Sequence, residues 1–396
     1  MDTVTVVGAS LAGLSTVRAL RSRGYDGRIV AVGAERHAPY DRPPLSKAFL
    51  AGTATEADLA LLGEDDEDLG VEWRLGVPAA GLDAAERAVT LADGEVVRAD
   101  AVVLATGSRA RQLPGASGLA GVHVLRTLDD AVALRDDLAA GGRLVVVGGG
   151  FIGAEVASTA HARGLVVTVV EAMPTPLAGP LGTEMGAVCG ALHADHGVRL
   201  LTGVGVAGLV GTDRVRAVDL LDGTRLPADI VVVGVGAQPN VEWLADSGLD
   251  VAGGVATDAT CATTAPGIVA VGDCARSYDV HARRPVRTEH WTHALQQPAT
   301  AAATLLGASA PYTGLPYFWS EQYGVQVQLA GSRAEGDVVS VVHGSVEERS
   351  FVATYEREGR LVAVLGVGAT GPFSRWRRTL RAAAATRTAA DVALAG

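Results

Sequence analysis

The chain opens on an apolar run, Val4-Thr5-Val6-Val7, with no charge in it. Such a β-branched run predicts a strand buried on both faces. It passes into Gly8-Ala9-Ser10-Leu11-Ala12-Gly13, a tight glycine turn that opens a helix. A second strand follows, Ile29-Val30-Ala31-Val32, with Glu35 just beyond it. The same order returns 140 positions later, as Leu144-Val145-Val146-Val147, then Gly148-Gly149-Gly150-Phe151-Ile152-Gly153, then an Ala-rich stretch. Val166-Val167-Thr168-Val169-Val170 and Glu171 close this second unit.

A further echo has a different offset. Val89-x-Leu91-x-Asp93-Gly94, leading to Ala99-Asp100-x-Val102-Val103-x-Ala105-x-Gly107, recurs 129 positions on as Val218-x-Leu220-x-Asp222-Gly223 and Ala228-Asp229-x-Val231-Val232-x-Gly234-x-Gly236. Asp-Gly between alternating apolar residues is a hairpin turn signal. Each unit therefore reads as β-α-β, a small hairpin excursion, and a returning strand. Beyond about Leu315 the period becomes two. Tyr323–Leu329 predicts a half-buried antiparallel strand, and Val338–His343 and Phe351–Val367 predict more, the last broken at Glu356-Arg357-Glu358-Gly359. The fold class is α/β, with two Rossmann-like dinucleotide-binding domains and a C-terminal α+β domain.

A glycine turn of this kind lets backbone N–H groups and a helix N-terminus approach a pyrophosphate. Gly8 and Gly13 would serve one dinucleotide, with Ser10 standing where the pattern has its middle glycine. Gly148, Gly150 and Gly153 would serve another. Glu35 and Glu171 stand where an acid pairs with ribose hydroxyls. An ordinary β-α-β turn with a solvated Glu is the alternative at each copy. Glu171 would repel a ribose 2′-phosphate, and Ala172-Met173-Pro174-Thr175-Pro176 holds no Arg to bind one, which favours NADH over NADPH. Ile268–Asp273 delivers a Gly-Asp pair from a strand, suited to ribityl hydroxyls of a flavin, and Thr106-Gly107 ends the matching strand of the first unit.

Composition narrows the function classes. The 396 residues carry a net charge of −11, which argues against nucleic acid as a partner. No apolar run approaches the ~18 residues of a membrane span, and Met1-Asp2-Thr3 lacks a basic leader, so a cytoplasmic protein with no membrane contact is expected. Cys189, Cys261 and Cys274 are too few and too scattered for a disulfide scaffold or zinc ribbon. His193 and His196 have H-x-x-H spacing without an accompanying carboxylate motif, and no metal site is expected. Of 33 Lys plus Arg, the only lysine is Lys47, an informative exception in an Arg-rich chain.

Lys47 ends the segment Ala38-Pro39-Tyr40-Asp41-Arg42-Pro43-Pro44-Leu45-Ser46-Lys47. This segment resembles the P-Y-x-R-P-P-L-S-K signature of NADH-dependent ferredoxin reductases, the flavoprotein family of the putidaredoxin, rhodocoxin and biphenyl dioxygenase reductases. Tyr317-Phe318-Trp319-Ser320-Glu321-Gln322-Tyr323 is similar to their F-W-S-x-Q motif, and Glu289-His290-Trp291 and Val271-Gly272-Asp273-Cys274-Ala275 fit as well. The resemblance implies an FAD domain over residues 1–107 and 237–312, an NADH domain inserted over 108–236, and a C-terminal domain, 313–396, covering the flavin. It implies Ala12 and Gly13 at the FAD pyrophosphate, Glu35 at its ribose, Arg42 and Lys47 near the flavin, and Val77 at the adenine. Arg126, in Leu125-Arg126-Thr127-Leu128-Asp129-Asp130-Ala131, would contact FAD, and Asp273 would hold the ribityl chain. The helix start near Trp291 and Thr292 would face the flavin pyrimidine edge, and Gly150, Glu155, Glu171 and Gly236 would line the NADH site.

The implied chemistry is hydride transfer from NADH to FAD. A reduced, anionic flavin needs nearby positive charge, which Lys47 would supply, paired with Glu155. No cysteine lies where related disulfide reductases place theirs. Electrons would therefore leave one at a time for an iron–sulfur ferredoxin of the 2Fe-2S or 3Fe-4S type, past Trp319. That ferredoxin would supply a haem-thiolate monooxygenase or a Rieske oxygenase. Two other classes stay open: a redox-sensing flavoprotein like apoptosis-inducing factor, and a radical reductase of the monodehydroascorbate type.

Overall fold

The computed structural model describes residues 1–116 and 118–395, with side chains described to residue 386. Two five-stranded parallel sheets carry the two sequence echoes. The first runs Ile268–Ala270, Ala101–Leu104, Thr3–Val7, Arg28–Gly33, Val71–Leu75 across the sheet. The second runs Val122–His123, Ile230–Val233, Arg143–Val147, Val166–Glu171, Arg199–Thr202. Val4 lies opposite Ala101 and Val7 opposite Leu104; in the second sheet Leu144 lies opposite Ile230 and Val147 opposite Val233. The two offsets in the sequence, 140 and 129, thus meet in one register.

Both sheets are covered in the same way. Val4 and Val6 pack on the helix Leu11–Ser22 through Val17 and Leu20, whereas Val7 and Val32 face the small antiparallel sheet through Val89 and Val97. In the second sheet Val146 packs against Val156 and Ala160 of the helix Phe151–Ala162, and Val145 and Val147 against Val218 and Leu226. Burial on both faces explains the unbroken valine runs. The hairpin excursions are three-stranded sheets, Ala79–Asp83 to Val96–Arg98 and Val206–Gly211 to Arg225–Pro227. Ser108–Ala110 pairs antiparallel with Ala237–Pro239 where the chain leaves the first sheet and returns to it.

The C-terminal part is a five-stranded antiparallel sheet, with Tyr317–Gln322 at one edge and Val338–Ser345 at the other, followed by the helix Thr370–Ala395. Two expectations change here. Tyr323 is not in a strand: Tyr323 (φ 54°) and Gly324 (φ 75°) form the turn between Gln322 and Val325. Positive φ at both positions matches the twist of a hairpin, and Glu358-Gly359 does the same between Arg357 and Arg360. The strand Val325–Gly331 is also not half-buried, because Val327 and Leu329 pack on Leu181, Met185 and Cys189 of the second domain while Ala330 faces Phe373 and Leu380. The polar residue that kept the alternation, Gln328, is buried and donates to the Tyr317 hydroxyl at 2.8 Å.

Candidate functional site

The glycine loops are forced by close backbone approach. Gly8 has φ 123°, and a Cβ there would lie 2.0 Å from the Ala105 carbonyl oxygen; at Gly148, φ is 106° and the Gly234 oxygen would be 2.3 Å away. Gly13 and Gly153 pass close to the Gly8 and Gly148 oxygens, at 1.8 and 2.1 Å from a notional Cβ. Each turn delivers a helix whose first residue has no side-chain cap and whose first turn has no acid. The Ser10 hydroxyl makes no cap, so its replacement of glycine leaves the N–H groups uncovered. Ala12 is buried in the first turn, and Gly150 has open space where a Cβ would stand. Such uncapped N-termini are suited to phosphate.

The acids lie beside these loops. Glu171 accepts from the N–H of Gly149 and of Met173, both at 2.8 Å. Glu35 accepts from Arg42 Nη2 at 2.6 Å and from the Tyr40 hydroxyl at 2.5 Å. The same Tyr40 oxygen accepts from Arg42 Nη1 and from the Leu128 N–H. Burial pushes the Tyr40 hydroxyl well above the usual phenol range, so it remains a donor to Glu35. Val77 donates its N–H to the Gly33 carbonyl at 3.0 Å, at the end of the same sheet.

At the far end of the sheet, Asp273 accepts from Arg126 Nη2 at 2.7 Å and from the Ser108 hydroxyl at 3.0 Å. Arg126 also donates to the Ser108 carbonyl, and Gly107 (φ 65°) packs near its guanidinium. Thr106 and Asn240 exchange two hydrogen bonds, at 2.7 and 3.0 Å. Gly236 turns at φ 100°, and its carbonyl accepts from the Arg111 N–H.

Lys47 and Glu155 meet between the two sheets. Lys47 Nζ donates to Glu155 Oε2 at 2.6 Å. The Glu155 side chain is 3% exposed and that of Lys47 20%. Ser46 Oγ donates to the same Oε2, and Ser320 Oγ to Oε1 at 2.7 Å. Ser46, Ser320 and Gln322 were not among the expected site residues. All three stand inside the two quoted motifs, but only chain folding brings Ser46 and Ser320 onto one carboxylate, with Gln322 donating to Ser320 at 3.1 Å.

The helix Trp291–Leu305 begins at Trp291, again without a side-chain cap or an acid in its first turn. Trp291 donates its indole N–H to Asp41 at 2.6 Å and meets Trp319 edge to face at 5.7 Å between centroids. Burial raises the Asp41 carboxyl. Thr292 donates to the Tyr317 carbonyl at 2.5 Å. His290 has a buried Nδ1 without a partner, and burial holds its imidazole at about 4. The H-x-x-H pair is occupied within the protein: His193 Nδ1 lies 2.7 Å from the Tyr323 hydroxyl, and His196 stacks on the Tyr323 ring. The three cysteines are free and buried, and burial pushes the Cys189 and Cys261 thiols up to about 12.

These residues fit two dinucleotides, one of which carries a flavin. The fit rests on the uncapped helix starts beside close-packed glycines and on the orphaned His290 nitrogen at the start of a third helix.

Comparison with known proteins agrees. A pyridine nucleotide-disulphide oxidoreductase model matches residues 2–298, and a reductase C-terminal model matches residues 317–394. Rhodocoxin reductase of Rhodococcus erythropolis is 40% identical, over 88% of this chain and 82% of its own length. Putidaredoxin reductase of Pseudomonas putida is 38% identical, over 96% and 92%. The structure of the covalent putidaredoxin reductase–putidaredoxin complex superposes with a TM-score of 0.92 at 37% identity, covering 96% of this chain and 93% of that one. The ferredoxin reductase for the CYP199A2 system of Rhodopseudomonas palustris gives 0.90 at 38% identity, covering 94% and 92%. Fold and site define a pyridine-nucleotide flavoprotein oxidoreductase, and within that class the chain belongs to the ferredoxin reductase family.

Proposed function

We propose that this protein is an FAD-dependent NADH:ferredoxin oxidoreductase that feeds a haem-thiolate monooxygenase or a Rieske oxygenase. The observation that carries the reading is the Lys47–Glu155 ion pair, which joins the signature of the first domain to the helix after the second glycine loop. In this reading Lys47 is the cation between the two dinucleotide sites. Bound FAD would supply the chemistry of hydride acceptance from NADH and release of electrons one at a time.

The protein's own residues do the rest. The loops at Gly8, Ala12 and Gly13 hold the FAD pyrophosphate, and Glu35 holds its ribose. Arg42, Val77, Thr106, Gly107, Arg126 and Asp273 line the remainder of that cofactor. Gly148, Gly150, Gly153, Glu171 and Gly236 hold NADH. Lys47 offers charge to the site, and Glu155 orients it. Trp291 and Thr292 open a helix whose positive end would face the flavin pyrimidine edge. Trp319 lies against Trp291 and closes the site on the C-terminal side.

The domain boundaries proposed are those after residues 107, 236 and 312, the first two supported by the crossing pair Ser108–Ala110 and Ala237–Pro239. Among the described residues no helix is long and apolar enough to cross a membrane. The protein is assigned to the cytoplasm, which cell fractionation checks. Function is tested by anaerobic NADH reduction of the yellow protein, followed by cytochrome c reduction with and without a purified ferredoxin. Cytochrome c reduction should depend on added ferredoxin. A protein that NADH does not reduce rules the proposal out.

A further inference from the structure

Glu155 receives more donors than an ion pair requires. Its Oε2 accepts from Lys47 Nζ and the Ser46 hydroxyl, and its Oε1 accepts from the Ser320 hydroxyl at 2.7 Å. Ser320 Oγ in turn accepts from Gln322 Nε2 at 3.1 Å. Ser320 is 0% and Gln322 1% exposed. We propose that Ser320 and Gln322 are positioning residues for flavin reduction: through Glu155 they hold Lys47 at the junction of the two dinucleotide sites. The proposal rests on the role given to Lys47 and Glu155 above.

Proton counts set the direction. An ammonium and an amide NH2 only donate. Gln322 therefore occupies Ser320 Oγ as an acceptor and leaves the single Ser320 proton for Glu155. Strand geometry brings the donors there. Ser320 and Gln322 share the inner face of Tyr317–Gln322, and Glu321 is exposed on the other. Among the described residues Lys47 is the charged partner on the carboxylate's other side, with Asp41 near Lys47 beyond it. The helix that carries Glu155 is clamped on both flanks. Thr159 donates to the Ser46 carbonyl at 2.9 Å, and the Tyr323 N–H donates to Ser158 Oγ at 2.7 Å.

Loss of the Ser320 hydroxyl leaves Oε1 without its donor in a dry site. The carboxylate, left with Lys47 and Ser46 on Oε2 alone, would no longer hold the ammonium in its place at the cofactor site. Less positive charge at the flavin disfavours its anionic reduced form.

The test uses the FAD-loaded full chain in anaerobic stopped-flow with NADH, and spectroelectrochemical titration of the flavin midpoint potential. Ser320→Ala should lower the limiting rate about 10-fold, with the apparent Kd for NADH within about twofold, and should lower the midpoint potential. Gln322→Met should shift both in the same direction by less. Because Gln322 acts through Ser320, the double variant should match Ser320→Ala rather than the product of the two. Ser320→Thr, which keeps the hydroxyl, should match the parent; if Ser320→Ala does not retain flavin, Ser320→Thr and Gln322→Met decide. Parent-like rate and potential in Ser320→Ala and Gln322→Met, a raised potential, or multiplicative effects would overturn the proposal. Glu155→Gln and Lys47→Met separate the two levels. If these also leave rate and potential unchanged, the role of the ion pair itself fails; if they change both while Ser320→Ala does not, only the role of Ser320 fails.

Discussion

The Arg377 guanidinium carbon sits 3.6 Å from the centre of the Tyr317 ring, and Tyr317 stacks on Trp319 at 6.0 Å. The C-terminal helix is thereby tied to Trp319. Burial lowers the Arg377 pKa, and this arginine is used inside the protein. Arg375, Arg378 and Arg381 remain exposed on the same helix. Arg287 is also committed, since it pairs with Glu289 and donates to the Asp273 carbonyl.

A net charge of −11 opposes an acidic partner, so attraction has to be local. Charge reversal at Arg375 and Arg378 should raise the apparent KM for an acidic ferredoxin and leave NADH-driven flavin reduction unchanged. Salt should act in the same direction, because the screening length falls from ~10 Å at 0.1 M to ~3 Å at 1 M. Arg283 and Arg284 are exposed a few residues before the helix Trp291–Leu305, and their reversal tests a second arginine surface. A salt-independent KM with no effect of either reversal would exclude electrostatic docking there.

The purified protein should be yellow, with one non-covalent FAD per chain that acid precipitation releases to the supernatant. Gly8→Ala should lose it, because the new Cβ meets the Ala105 carbonyl at 2.0 Å in a left-handed backbone. Flavin absorbance alongside circular dichroism separates lost cofactor from lost fold.

NADH should reduce the flavin with a higher kcat/KM than NADPH. Repulsion between Glu171 and a 2′-phosphate is worth about 1–3 kcal/mol, or about 5- to 150-fold. Glu171→Ala should narrow the ratio of kcat/KM values. Since Glu171 also holds the Gly149 and Met173 N–H groups, the same variant should raise the KM for NADH.

Lys47→Met should slow flavin reduction at least about 10-fold in stopped-flow, and Glu155→Gln should slow the same step. Lys47→Met also leaves a buried carboxylate with hydroxyl donors alone, so its Tm should fall further than that of Glu155→Gln.

Burial holds His193 at about 4 against an ordinary 6.5. The unfolded chain therefore binds the extra proton first. The stability that His193 contributes is complete above pH 6.5 and is lost as pH falls toward 4. At pH 5 the loss should be about 1–2 kcal/mol, and His193→Gln should flatten the fall in Tm between pH 7 and pH 5.

The sequence by itself determined the two parallel sheets, because continuous valine runs, close-packed glycines and Asp-Gly turns each act over a few residues. The offsets of 140 and 129 even carried the register between strands. The candidate residues were legible in the same way, as short motifs. Burial of the C-terminal sheet was not, because what covers Val327 is Leu181 and Met185, contributed by a different domain. Nor was the role of Ser320, a residue that alternation marks only as polar. Its partner Glu155 is 165 positions away, and Lys47 a further 108 before that. Local chemistry names a donor and an acceptor; only packing three domains together, with water excluded, decides which of them meet and leaves one carboxylate to satisfy all of them.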